Sequence, residues 1–340
     1  MLFRSAETGD LVWECVVVAK DGSPLAETLA GTQNAETRWG AIAKTPNAVF
    51  AAVQAGKRSA LDREFLAKQQ AVAFDNFKNA LEVGLDSDEE RALAKELVAA
   101  VEKLAKSAAA DGTFDSASAF ACEPLLFSSA VAPVDGSELI AVARKIFAKL
   151  EKDEPKVAEK IGKFINLDAG TVEGFALATL DAPLAEFNVE LPEPFAAFGN
   201  DKTLAVRLGT SADAILGVVG LDSTAVDAEF ARIAAGAKTK TPAPQRVAFA
   251  VAPLGRLLLE MSAEFDGTPV SARKTLERIA EADDARLEVE YSVDGDRLAA
   301  RYVVKSGVFR LIGDVARTYF VARLGAEDEG EDVDYLFEEE

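Results

Sequence analysis

Residues 285 to 305 constrain the fold more than any other stretch of the chain. Leu287, Val289, Tyr291 and Val293 alternate with Glu288, Glu290 and Ser292, and Leu298, Ala300, Tyr302 and Val304 repeat the alternation beyond Asp294-Gly295. A period of two is the mark of a strand with unlike faces, and Asp-Gly is a favoured two-residue hairpin turn. A turn on Asp294-Gly295 predicts Tyr291 opposite Leu298, Val289 opposite Ala300 and Leu287 opposite Tyr302. The same register sets Glu288 against Arg301. Leu287, Val289, Tyr291 and Tyr302 are expected on the buried face. A chain with this ribbon needs an antiparallel sheet, one face of which is wet or lines a cavity.

The rest of the chain supplies strands and helices in mixed order. Two helices are predicted over Ser59 to Gly84 and beyond Ser87. Ser87 and Glu90 form a capping-box pattern, and Leu93, Leu97, Val101, Leu104 and Ala108 form the apolar stripe of the second helix. Phe114 to Ala132 alternates well enough for one or two strands. Ser137 to Leu150 reads as a helix, Thr171 to Leu180 as a strand and Pro183 to Pro194 as loop. Leu204, Val206 and Leu208 mark a half-buried strand, and Ala214 to Leu221 a central one. Val226, Phe230 and Ile233 mark a helix ending at Gly236. Lys238 to Pro244 (KTKTPAP) is the best linker, Val308 to Leu324 a final helix. The fold class expected is α+β, an antiparallel sheet with packed helices.

A short phrase recurs. Val16 to Leu25 (VVVAKDGSPL) resembles Ala130 to Leu139 (AVAPVDGSEL), and Ala250 to Gly255 is a weaker third echo. Each predicts a strand, a tight turn and a capped helix. Duplicated strand–turn–helix units would produce this, as would convergence of such junctions on Asp-Gly-Ser. The organisation expected is an N-terminal strand with a helical region over 1–110, an α+β body over 111–325 and an unstructured acidic tail over 326–340.

The function classes left open are narrowed by what is missing. None of the 340 residues is histidine. Imidazole acid–base chemistry, Ser-His-Asp and Cys-His nucleophiles and His-containing zinc sites are thereby excluded. The formal net charge is −20, of which residues 326–340 carry −9 with no Lys or Arg, leaving −11 on the rest. An acidic body argues against nucleic acid and anionic membrane surfaces as partners. No apolar run approaches the ~18 residues of a transmembrane segment. Twenty Phe against 4 Tyr and 2 Trp favour packing or an apolar cavity over hydrogen-bonded recognition.

Asp201 to Val226 (DKTLAVRLGTSADAILGVVGLDSTAV) and Ala285 to Gly313 (ARLEVEYSVDGDRLAARYVVKSGVFRLIG) resemble, at the level of pattern, the uncharacterised secreted proteins predicted in planctomycete bacteria. The likeness covers about residues 110 to 315. It implies export to the cell envelope and implies no activity. Met1 to Ser5 (MLFRS) shows no charged n-region, apolar h-region or cleavage site, and Leu-Phe-Arg-Ser is also the translation of a sequencing adaptor. An envelope or periplasmic location is expected if an N-terminal segment is missing, a cytoplasmic one if the start is native.

Motifs for chemistry are incomplete. Ser271-Ala272-Arg273-Lys274 fits the Ser-x-x-Lys of penicillin-recognising enzymes, but no Ser-x-Asn or Lys-Thr-Gly accompanies it. Gly56-Lys57-Arg58-Ser59 resembles the end of a phosphate loop, yet Ala51 stands where its first glycine is needed and Arg58 where Ser or Thr is. Gly209, Gly217 and Gly220 lack dinucleotide-binding spacing. Asp283-Asp284 and Glu89-Glu90 are adjacent carboxylates without a calcium-loop pattern. Tyr335-Leu336-Phe337 lies inside the acidic tail and reads as a solubilising end or a docking motif. Cys15 and Cys122 form no metal motif and are expected buried and unbridged. No residue is assigned a catalytic, cofactor-binding or metal-ligating role. The expected function is a non-catalytic, envelope-associated binding or structural protein for an apolar small molecule or a protein partner. A carboxylate-based, divalent-metal-dependent hydrolase and a cytoplasmic oligomeric scaffold are the alternatives.

Overall fold

The alternating segments do form strands, and among the described residues thirteen strands join one antiparallel sheet. The computed structural model describes residues 2–5, 9–32, 35–83, 88–109, 112–187, 202–243, 245–264 and 270–328. The chain begins β1 (Leu2–Ser5), β2 (Leu11–Val18), α1 (Pro24–Thr32), β3 (Glu36–Thr37), β4 (Ala48–Lys57), α2 (Ala60–Val83) and α3 (Asp88–Ala109). It continues β5 (Thr113–Cys122), β6 (Leu125–Ala132), α4 (Ser137–Asp153), α5 (Pro155–Gly162), β7 (Ile165–Asn166), β8 (Thr171–Val172) and β9 (Phe175–Pro183). Next come β10 (Thr203–Thr210), β11 (Ile215–Gly220), α6 (Ser223–Gly236), β12 (Thr241–Pro242) and β13 (Arg246–Ala250). The chain closes with α7 (Ala252–Glu264), α8 (Val270–Glu281), β14 (Arg286–Asp294), β15 (Arg297–Val304) and α9 (Ser306–Asp328). The main sheet runs β1-β2-β15-β14-β13-β4-β5-β6-β11-β10-β9-β7, with β8 on β9.

This order settles how the parts relate. β4, from the N-terminal region, pairs with both β5 and β13, and β2 pairs with β15. The boundary drawn at 110 therefore does not divide the sheet. KTKTPAP is not a free linker: Thr241 and Pro242 pair with Thr37 and Glu36, and the Ala243 N–H donates to the Ala35 carbonyl. Its last residue, Pro244, lies outside the described residues, as do Ser87, residues 188–201 and the tail from 329. The tail's first residues are helical, since α9 runs to Asp328.

The core face of the sheet is set by α6. Asp222 caps this helix, accepting a bond from the Ala225 N–H at 2.8 Å. Val226, Phe230, Ile233 and Ala234 then face Ala205, Leu216 and Val218 of the sheet, joined by Trp39 and Ile42 from the β3–β4 connection. Gly209 leaves the space that Phe230 fills, because a Cβ there would come within 2.5 Å of the Phe230 ring. On the opposite face Leu257 and Met261 of α7 pack on Cys122, Phe120 and Leu125. The start of α4 also lies on that face, with Gly136 close against Ile215 and Thr210.

The recurring phrase stands each time at a strand-to-helix junction: β2 to α1, β6 to α4 and β13 to α7. The caps differ. Ser23 Oγ accepts the Ala26 N–H, Asp135 binds the Ser137 N–H and hydroxyl, and α7 begins directly at Ala252. The predicted strand Thr171 to Leu180 is instead a hairpin. Glu173 (φ 53°) and Gly174 (φ 92°) turn between Val172 and Phe175, both residues on the positive-φ side that type I′ turns require.

The ribbon at 285–305 forms, but two residues out of the predicted register. Gly295 (φ 61°) and Asp296 make the turn, and Asp294 pairs with Arg297 as a strand residue. Glycine thus takes the first central position, as in type II′ turns. Tyr291 faces Ala300, Val289 faces Tyr302 and Leu287 faces Val304, while Arg301 meets Glu290 in place of Glu288. A shift of two keeps every side chain on its face. The burial, however, is not as expected: Leu287 and Tyr291 are exposed at 41% and 38%, whereas Val303, on the charged side, is 4% exposed. Alternation says which residues share a face, and neighbouring elements decide which face is covered.

Candidate functional site: the uncharged face of the sheet

Register assembles one continuous surface from ten strands. Leu11, Val304, Leu287, Phe249 and Phe50 are paired in turn across β2, β15, β14, β13 and β4. The row continues through Phe120, Phe127, Val219, Val206 and Leu180 across β5, β6, β11, β10 and β9. Two residues along each strand, a second row runs Trp13, Tyr302, Val289, Val247 and Ala52, then Ser118, Ser129, Gly217, Leu208 and Ala178. Over these ten strands the face carries no Asp, Glu, Lys or Arg. The other face holds Glu14, Arg301, Glu290, Glu288 and Arg246, joined in cross-strand ion pairs.

Much of this uncharged face meets solvent. Phe127 is 47% and Phe249 46% exposed, beside Leu287 and Tyr291. Phe249 leans on Phe50 with centroids 5.0 Å apart, and Trp13 stacks on Tyr302 at 4.3 Å. The middle of the second row is small, Ala52, Ser118, Ser129 and Gly217, and α7 covers the neighbouring Phe120 and Leu125. A monomer seldom exposes a contiguous apolar surface of this kind without a use for it.

At the end of the face nearest α2 the character changes. Arg58 prolongs β4, its N–H bonded to the Gly112 carbonyl, and its guanidinium lies 4.6 Å from the Phe114 ring centroid. Burial lowers the Arg58 pKa, and Asp62 nearby opposes that shift. Asp62 is itself held by the hydroxyls of Ser59 and Thr28, at 2.8 and 2.9 Å, which keep its carboxyl below the usual range. Ser59 caps α2 through the Asp62 N–H. Gly56-Lys57-Arg58-Ser59 is therefore a strand end running into a helix cap.

Polar residues also line two clefts. A cleft of about 630 Å³ lies between α4 and β10, and its Asp168 pairs with Arg144. A second cleft, about 540 Å³, contains Asp115, Glu36, Arg38, Lys57 and Lys240. Asp115 is buried, which raises its pKa, and it accepts bonds from the Thr37 hydroxyl and the Arg38 N–H. Those bonds pin the β3 segment to β5. Lys274 is exposed on α8. Asp283 and Asp284 are divided between Arg256 and Arg310. Glu89 and Glu90 fall within α3, and Tyr335 to Phe337 are outside the described residues. Among the described residues no group of three Asp, Glu or Cys is placed to hold a metal ion, and no helix is long and apolar enough to cross a membrane.

Cys122 is buried, as expected, but Cys15 is exposed on the uncharged face between Trp13 and Val17, and both are free. Burial pushes the Cys122 thiol up to about 11. A thiol reagent at pH 8 is expected to titrate Cys15 within seconds and Cys122 only on unfolding, because the thiolate is the nucleophile. Two fast thiols in the native protein would contradict the packing of α7 on β5.

No family model, curated protein or solved structure matches this chain.

Proposed function

We propose that this chain is a non-catalytic binding protein that holds an apolar molecule on the uncharged face of its sheet. The observation that carries the reading is the absence of charge from that face across ten strands, together with the exposure of Phe127, Phe249, Leu287 and Tyr291. Sheets that face only water alternate apolar with polar residues. Here the alternation places charge on the opposite side and leaves aromatic surface where a ligand would remove it from water. The Phe-rich composition supports the same reading. An envelope-associated role is part of the proposal, and its support is the resemblance to secreted planctomycete proteins.

Native mass spectrometry of the purified chain is expected to show a retained apolar molecule that organic extraction releases. The stripped protein should take up a fluorescent apolar probe. Phe127→Glu with Phe249→Glu should weaken that uptake at least tenfold. The melting temperature should change little, since both rings are already about half exposed. A bare chain that takes up no probe, or a variant that binds as well as the parent, would overturn the proposal.

A further inference from the structure

We infer that a second copy of this chain pairs with the open edge of β2, antiparallel and about a two-fold axis at Val18, so that the sheet runs on from one protomer into the other. The inference stands on the strand edge and is independent of the ligand reading above. β1 covers β2 only from Leu11 to Glu14. Among the described residues no strand pairs with Cys15 to Val18 on the side away from β15. Val16, Val17 and Val18 are 52%, 43% and 57% exposed there. Edge strands of natural monomers are blunted by Lys, Pro or a bulge. This edge instead offers three successive β-branched residues in unbroken register with β15.

Which backbone groups are open follows from one bond. The Ala19 N–H donates to the Asp296 carbonyl across from it. Hydrogen-bonding groups alternate sides along a strand, so Val17 and Ala19 turn theirs to β15, while Val16, Val18 and Lys20 turn theirs outward. An antiparallel partner must match outward residues to outward residues. A two-fold axis at Val17 would bring the partner's Ala19 against Leu2, the residue of β1 that pairs with Glu14. An axis at Val18 clears it: Val18 faces Val18, Val17 faces Ala19 and Val16 faces Lys20. The turn closed by the Ser23 N–H on the Lys20 carbonyl then takes the partner chain away before it reaches β1. Charge agrees with this register. Glu14, Val16, Val18 and Lys20 share one face, so the partner's Lys20 stands diagonally beside Glu14, within reach of a long side chain. Glu14 is half-exposed, with Arg301 at 3.8 Å. A foreign strand would match the open backbone, but the match of sterics and charge is to the chain's own sequence. An interface of this kind is isologous and closed, as in most homodimers.

The test is sedimentation velocity on the full chain, with a dimer expected. Val18→Lys sets like charges against each other at the axis and should weaken dimerisation at least tenfold. An unchanged circular dichroism spectrum would show that the variant folds, since Val18 turns no backbone group to β15. Lys20→Glu should also weaken the dimer, and Glu14→Lys added to it should restore the dimer. Oxidation reads the register. Val18→Cys in a Cys15→Ser background should give a disulfide-linked dimer, because directly paired Cα atoms lie about 5.5 Å apart and a disulfide spans ~4.4–6.8 Å. Val16→Cys in the same background should not cross-link. A chain that stays monomeric, or a dimer that Val18→Lys leaves intact, would overturn the inference. So would a dimer that cross-links through Val16→Cys and not through Val18→Cys.

Discussion

Replacing Phe230 by alanine is expected to destabilise the protein by about 3–5 kcal/mol, the cost of emptying a phenylalanine site in a packed core. Phe230 is 2% exposed and meets the Phe175 ring edge-on at 6.4 Å. It also fills the hollow left by Gly209 on β10, so collapse around the cavity is blocked by sheet backbone on one side. Urea unfolding at 25 °C measures the change. A loss below about 1 kcal/mol would mean that α6 does not pack on β10 as described. The substitution should leave probe uptake intact at low urea, because the ring lies on the face opposite the proposed site.

The second large effect is expected at Glu229. Its carboxylate, 5% exposed, accepts bonds from Arg232 Nε and Nη2 at 2.7 and 2.6 Å and from the Thr45 hydroxyl at 2.9 Å. Ser128, fully buried, reaches it at 3.5 Å. Alanine would remove the acceptor of two buried hydroxyls, while the Arg232 guanidinium keeps its bonds to the Ala41 carbonyl and the Thr45 hydroxyl. Breaking a buried pair typically costs ~3–5 kcal/mol, but Arg232 is a third exposed and water can reach it, so about 2–3 kcal/mol is expected here. Glu229→Gln keeps one acceptor and should cost less. A double-mutant cycle with Arg232→Ala measures the coupling of the pair, together with the bond that Arg232 Nη2 donates to the Thr45 hydroxyl. A coupling near zero would mean that Thr45 and Ser128 carry the whole effect.

These two sites show how unevenly the sequence exposed the structure. The helix of Val226, Phe230 and Ile233, its end at Gly236 and the central strand after Ala214 were legible because their periodicity is a local property. So was the existence of the 285–305 ribbon. Its register was not, because Asp294-Gly295 and Gly295-Asp296 are both sound turns and choosing between them depends on the β2 and β13 strands alongside. Glu229 had no signal of its own, since an acidic residue on an amphipathic helix is ordinary until Thr45, from far back in the chain, arrives beside it.

The sequence by itself determined the α+β class, the antiparallel ribbon and the exclusion of histidine chemistry, all of which follow from local pattern or from composition. Tertiary structure alone decided that β4 enters the sheet between β13 and β5, that KTKTPAP is paired with β3, and that Cys15 is exposed while Cys122 is buried. It alone also aligned the uncharged alternate positions of ten strands into one surface. Each strand hides or shows that feature in only a few residues, and the order in which strands pair is a non-local choice. What a face is covered by follows from that order, which is why Leu287 and Tyr291, predicted to be buried, stand open to solvent.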